Sequence, residues 1–291
     1  MKIDLHIHTR TGSDGNLSVE DIFHEAGKRD IDLMSITDHD SLSCQERAIA
    51  LAKEHGIAYI TGLELNVTFT YLEKSVSLDF LAYQYDINNI ELRDKLQLIK
   101  DHRESRSRQI LENLNSEFQK ENIPVFTDED LRNIQESVDG TFGRPHIAAY
   151  LIKKGLVRDN REAFDKYLIK CNAAKYPLPL AEASSLVRNA GGILVLAHPN
   201  DPNGTSLVSL TRDLDEQTKI IRGNMMEYID GIECWHSRND TATTTHYVKF
   251  AGEQGLIMTG GSDCHQKPLL LGTLDIPDYV AQQFTPKMCY N

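Results

Sequence analysis

Three observations predict an α/β fold. Seven short apolar or alternating segments of strand length are spread along the chain. Helical segments with readable starts and stops separate several of them. Side chains able to bind metals fall at or near the carboxyl ends of six of the seven, the edge at which parallel α/β folds bind ligands. Strands alternating with helices imply parallel pairing through right-handed crossovers, and seven such units favour a barrel over an open sheet.

The expected strands are KIDLHIH (2–8), LMSIT (33–37), IAYITGLEL (57–65), SLDFLAY (77–83), ILVLAH (193–198), GIECW (231–235) and LIMTGGS (256–262). Ser18 opens Ser-Val-Glu-Asp ahead of Ile22, Phe23 and Ala26, an acidic variant of the capping box. Ser43 opens Ser-Cys-Gln-Glu, and the helix it predicts stops at Gly56. Further helices are expected to end near Gly191-Gly192 and near Gly255.

The alternation lapses between about 87 and 180. Residues 88–120 read as one or two charged helices. FTDEDLRNIQ (126–135) has Thr127 as a cap, PHIAAYLIKKG (145–155) starts on Pro145 and ends at Gly155, and NREAFDKYLIK (160–170) is another helix. The expected organisation is therefore a barrel from 1–87 and 181–291, with a helical insertion over 88–180. Residues 199–228 read as a looser excursion.

A formal net charge of −12 opposes binding to long nucleic acid, which rests on many Lys and Arg contacts to phosphate. A local basic pocket for one or two phosphates remains compatible with it. Five scattered cysteines without a CxxC, namely Cys44, Cys171, Cys234, Cys264 and Cys289, argue for a reducing compartment. With no secretory pattern at the start and no apolar run of membrane-spanning length, the expected location is cytoplasmic and no membrane partner is expected.

His6 and His8 are two apart on a strand and so face one side. Asp14 follows in a Ser-Asp-Gly turn, TDHD (37–40) closes the second strand, and Glu64 ends the third. Asp79 lies in the fourth, His198 ends the fifth, and Asp263 and His265 follow the seventh. Singly each motif reads as structural. Jointly they meet on one edge, where gathered carboxylates would repel and cost several kcal/mol each if buried unpaired, roughly, unless cations offset them. Imidazole and carboxylate without thiolate suit Zn, Mn or Fe, and a set of this size implies two or three divalent ions. Closely spaced ions clamp phosphate oxygens and lower the pKa of a bound water towards neutrality.

HxH, SDG, TDH, GLE, AHP and SDCH together resemble the polymerase and histidinol phosphatase (PHP) family over nearly the whole chain. GRPHIA (143–148) and the helical insertion make the chain most similar to the PHP phosphoesterases that act on nucleoside 3′,5′-bisphosphates or trim short RNA from its 5′ end. The resemblance implies a distorted (β/α)7 barrel and a trinuclear centre held by His6, His8, Asp14, His39, Glu64, Asp79, His198, Asp263 and His265. Asp79 departs from the family, which usually has histidine there. HTRTGSD is one residue longer than the family's spacing, an excess a loop should absorb.

The expected reaction is hydrolysis of a nucleotide phosphomonoester, with His198 or His236 protonating the leaving oxygen. Arg144 is the first candidate to hold phosphate, because a guanidinium can do so bidentately, with His146 and Lys175 beside it and Arg103 and Arg106 as weaker candidates. Competing readings are a phosphatase for histidinol phosphate or another small phosphomonoester, a regulatory module impaired by Asp79, and an amidohydrolase.

Overall fold

The computed structural model describes residues 1–136, 143–266 and 269–284; Cys289 lies outside them. The chain divides into two units, Met1–Arg93 with Pro177–Asn291, and Asp94–Tyr176.

In chain order the elements are β1 (Ile3–Ile7), α1 (Val19–Lys28), β2 (Leu33–Ile36), α2 (Gln45–His55), β3 (Ala58–Tyr59), β4 (Gly62–Tyr71), β5 (Lys74–Tyr83) and α3 (Ile90–Lys120). Then come α4 (Asp128–Gln135), α5 (Arg144–Lys153), and α6 (Asn160–Ala163), which runs into a π turn over Phe164–Leu168. The remainder is α7 (Leu180–Asn189), β6 (Ile193–Leu196), a 3₁₀ turn (Leu207–Ser209), α8 (Leu214–Asn224), β7 (Gly231–His236), α9 (Thr241–Gln254), β8 (Ile257–Gly261) and α10 (Tyr279–Gln282).

Local chemistry accounts for most boundaries. The Ser18 hydroxyl accepts from the Asp21 amide and starts α1, whereas α2 starts after Cys44 with no side-chain cap, not at a Ser43 box. Gly56 and Gly255 end α2 and α9 in the left-handed conformation, at φ 67° in both cases. Thr127 and Asp130 form a reciprocal capping box on α4. The excursion over 199–228 contains α8, capped by Asp213.

The fold is α/β, but among the described residues its strands form two sheets and do not close into a continuous barrel. β1-β2-β3 make a parallel three-stranded sheet, and β4-β5-β6-β7-β8 make a five-stranded one. The expected third strand is two strands, β3 and β4, and β4 pairs antiparallel with β5 through a hairpin. Alternating burial along β4 explains this, because a sheet face open on one side reads as in-out alternation. The hairpin turns at Leu72 and Glu73, both at positive φ (44° and 66°), the geometry of a tight turn usually made with Asn-Gly. β5 is also antiparallel to β6, while β6, β7 and β8 are parallel.

Where a barrel would close, the ladders give way to single bridges, Ile7 with Cys264 and His39 with Glu64. Asp40 and Asp263, beside these bridges, adopt φ of 50° and 53°, which turns the backbone out of extended geometry and ends the pairing. Hydrogen bonds still join the margins: Asp263 N–H donates to His6 O at 2.8 Å, and His8 N–H to Cys264 O at 3.1 Å.

Among the described residues, two apolar clusters pack the first unit. One gathers Ile22, Phe23, Met34 and Leu51; the other gathers Leu5, Leu33, Leu81, Tyr83, Val195 and Phe284. The second unit has a core of its own around Ile110, Phe118, Leu151 and Tyr167. Backbones approach closely at Gly261, where a Cβ would lie 2.3 Å from the His6 backbone nitrogen. Gly261→Ala is therefore expected to destabilise the fold by about 1–3 kcal/mol, the usual cost of overpacking, as read from urea unfolding. An unchanged midpoint would refute the tight seam.

Candidate metal centre

The strand pleat sends His6 and His8 to one side, and neighbouring strand ends bring carboxylates to them. Glu64, near the start of β4, is 1% exposed. Its Oε2 lies 3.3 Å from His6 Nε2, 3.1 Å from His8 Nε2 and 3.2 Å from His39 Nδ1. Its Oε1 lies 3.0 Å from His198 Nε2. Asp263 repeats the pattern, with Oδ1 at 3.4 Å from His6 Nε2, 3.3 Å from His8 Nε2 and 3.3 Å from His265 Nδ1. Asp14 Oδ1 is 3.2 Å from His265 Nε2 and 3.9 Å from His39 Nε2.

Three overlapping sets of donor atoms result, each within 4.8 Å: His8, Asp14, His39 and His265; His6, Glu64 and His198; and His6, His8 and Asp263. The sharing of His6 and His8 between sets describes adjoining sites. Asp79 stands apart from them. It is 4.0 Å from His198 Nε2, and its Oδ1 accepts from the Asn66 side-chain amide directly across the hairpin at 2.5 Å. His236 Nε2 lies 3.3 Å from Asp263 Oδ2, in a fourth set with Asp201 and Asp263.

The donors fit divalent cations. Two imidazole nitrogens, His6 Nε2 and His8 Nε2, face each other at 3.0 Å. Asp14 Oδ1 and His198 Nδ1 are buried without a hydrogen-bond partner, which is costly unless another ligand satisfies them. In the metal-free protein, protons take the cations' place. Burial opposes a charge on His8, but Asp263 and Glu64 prevail and raise it to about 10; His198 rises to about 9 against the same opposition, chiefly through Glu64. His6 is raised well above its usual value by Glu233, Glu64 and Asp263 despite burial. Burial likewise opposes the charged forms of Glu64 and Asp263, yet the surrounding imidazoles hold both well below the carboxylate range.

The loop carrying Asp14 is fastened by Asp38, which accepts from the Thr9 amide, the Thr9 and Ser13 hydroxyls and the Cys44 thiol. Gly12 lies so close to the Asp38 carboxylate that no side chain fits, which lets the long HTRTGSD loop fold down on it. His198 and Asp263 adopt φ of 24° and 53°, backbone strain concentrated at the centre.

Residues 4–174 match the PHP domain family. The chain belongs to that family. Among the relatives of this PHP domain protein are a 5′-3′ exoribonuclease of Haemophilus influenzae, 30% identical over 267 residues (91% of this chain, 90% of the relative), and a 3′,5′-nucleoside bisphosphate phosphatase of Chromobacterium violaceum, 28% identical over 268 residues (90% and 87%). A solved structure from Bifidobacterium adolescentis, provisionally described as a metal-dependent phosphoesterase, superposes with a TM-score of 0.76 at 27% identity, covering 98% of this chain and 96% of that one.

In this PHP chain, sequence reasoning missed Glu233. It lies in β7, fully buried, with Oε1 accepting from His6 Nδ1 at 3.0 Å and Oε2 from the His198 amide at 2.8 Å. With the Nδ1 proton held there, His6 presents Nε2 to the cluster. Glu233→Gln is expected to weaken divalent metal binding about 10–100-fold in chelator competition, with the fold retained; wild-type affinity would refute this role. The signal available in GIECW was a carboxylate amid apolar strand residues.

The remaining candidates lie in the second unit. Arg144 opens α5, half-buried, its guanidinium 5.3 Å from the Phe164 ring centre. His146 Nδ1 accepts from the Gly143 amide at 2.9 Å, which occupies that nitrogen in capping α5, and Lys175 is exposed. Burial, with repulsion from Arg144 and Arg103, lowers Arg106 to about 10, so the three guanidiniums form one electropositive cluster. Arg106 is anchored to Ala173 O and Asn172 Oδ1.

Proposed function

We propose that this PHP protein is a metal-dependent phosphoesterase whose substrate is the phosphomonoester of a nucleotide, such as a nucleoside 3′,5′-bisphosphate or AMP, with short 5′-phosphorylated RNA as a further substrate. One observation carries the reading: single oxygens of Glu64 and Asp263 each face three imidazoles, an arrangement suited to adjoining cations. Two or three divalent ions of Mn, Zn or Fe would be held by His6, His8, Asp14, His39, Glu64, His198, Asp263 and His265, with Asp79 a flanking carboxylate at the His198 side. Bound there, the ions would activate water and neutralise phosphoryl oxygens.

His198 and His236 are the candidates to deliver a proton to the leaving oxygen. His236 has the stronger claim, because its Nδ1 accepts the Arg238 amide at 3.3 Å, placing its proton on Nε2. Arg144, with Arg103 and Arg106, would hold phosphate charge of the substrate, with His146 and Lys175 as further candidates; a guanidinium can take two phosphate oxygens at once. In architectural terms we propose that the two sheets serve as a distorted barrel built from 1–87 and 181–291, with 88–180 as a helical insertion. We also place the protein in the cytoplasm: the four described cysteines are unpaired, and no helix among the described residues is long and apolar enough to cross a membrane.

The test is a substrate panel with Mn-, Zn- or Fe-loaded protein: a nucleoside 3′,5′-bisphosphate, nucleoside monophosphates, short 5′-phosphorylated RNA and histidinol phosphate. Release of orthophosphate or nucleotides from the nucleotide substrates is expected. Preference for histidinol phosphate would replace this substrate class, and no hydrolysis with any of the metals would overturn the reading.

A further inference from the structure

The side of the cluster at His236 and Asp263 carries a cation of its own. Arg238 lies in the loop between β7 and α9. Its Nη1 donates to Asp201 and, at 3.2 Å, to Asp263 Oδ2. Asp201 is a rigid anchor: it is 1% exposed, its Oδ1 accepts from the Asn203 amide at 2.9 Å, and its own amide donates to His198 O at 3.0 Å. Gly204 closes over it, where a Cβ would lie 2.7 Å from Asp201 Oδ2. The buried carboxylate thus fixes one corner of the guanidinium beside a residue of the metal centre.

The other corner is uncommitted. Among the described residues, Nε and Nη2 of Arg238 have no hydrogen-bond partner, and the side chain is 39% exposed. These two nitrogens form the parallel N–H edge that matches two oxygens of a phosphate. Asp201, His236 and Asp263 could by themselves suggest another cation site. The guanidinium already neutralises two of the three, so the flank is better suited to receive an anion than a further metal.

We infer that Arg238, braced by Asp201, is a phosphate-binding residue of the first unit: its Nε/Nη2 edge takes two non-bridging oxygens of the phosphoryl group that is hydrolysed, and of orthophosphate after release. The inference rests on the phosphoesterase reading above. It assigns recognition of the reacting phosphate to the strand-bearing unit.

Orthophosphate binding to the Mn-loaded protein, measured by titration calorimetry, tests it. Arg238→Lys keeps a cation opposite Asp201 and so guards the fold while removing the two-nitrogen edge; Arg238→Gln combined with Asp201→Asn removes both charges together. Both variants are expected to bind phosphate about tenfold or more weakly and to show a raised KM for a nucleoside monophosphate, with metal content per chain unchanged. Phosphate affinity within about twofold of wild type overturns the inference. So does a loss that parallels loss of metal, since Arg238 would then act only by supporting Asp263. If the wild-type protein itself neither binds phosphate nor hydrolyses any substrate with any metal, the phosphoesterase reading falls too; if wild type does both and only the variants fail to differ, this inference falls alone.

Discussion

Glu64→Gln is expected to remove at least one divalent ion per chain and to lower kcat/KM by about a hundredfold to a thousandfold or more, beyond what loss of an outer hydrogen-bond partner costs. The reason is geometric. Both carboxylate oxygens are engaged, Oε1 with His198 and Oε2 with His6, His8 and His39. An amide replaces one acceptor by an N–H₂ group that points at the same imidazole nitrogens, and it deletes a negative charge the cations require. Elemental analysis of purified protein and steady-state kinetics read the two effects, with circular dichroism as the check on folding. A variant that keeps full metal content and rate would sink the assignment of Glu64.

Metal binding is also expected to reverse the pH dependence of stability. In metal-free protein, His8 and His198 titrate at about 10 and about 9 when folded, against 6.5 as the ordinary value. The folded state then holds more protons between 6.5 and those values, so stability is full below 6.5 and is lost as pH rises through 9 and 10. Glu64 and Asp263 act in the opposite sense. Their carboxylates lie well below 4.5 and 3.8, so their contribution is present above those values and is lost as pH falls through the folded pKa. Metal-free protein should therefore be most stable between about 4.5 and 6.5. Divalent cations replace the imidazole protons, so the metal-induced rise in Tm should be larger at pH 9 than at pH 6, and uptake should release protons. Calorimetry with and without chelator measures this. A Tm of chelated protein that climbs between pH 6.5 and 9 would contradict the geometry.

The parts legible in the sequence were those with a short-range signature. His6 and His8 share a strand face, Ser18 and Thr127 cap helices, and Gly56 and Gly255 stop them. The hairpin was hidden because Leu72 and Glu73 make its turn without glycine or asparagine, so IAYITGLEL read as one strand followed by a gap. The open margins of the sheets were hidden too, since they depend on Asp40 and Asp263 leaving extended geometry, which residue type does not announce. Glu233, Asp201 and Arg238 escaped notice for a different reason. Each acts on a side chain or amide brought to it only by folding, as Glu233 does on His6 from 227 positions away. Conversely, the departure at Asp79 was visible as a residue type, whereas its partner Asn66 emerged only from the register of β4 against β5.

The margin between β1 and β8 has a consequence for biosynthesis. His6 and His8 are translated more than 250 residues before Asp263 and His265, yet the backbones around them bond to one another. β1 leaves the ribosome well before β8 and must wait for it with one edge unpaired. Contacts this distant in sequence form slowly and leave apolar edges open to other chains meanwhile. Productive assembly of the centre must thus await β8 and the residues after it, and the order of translation itself delays cation capture until the chain can hold it.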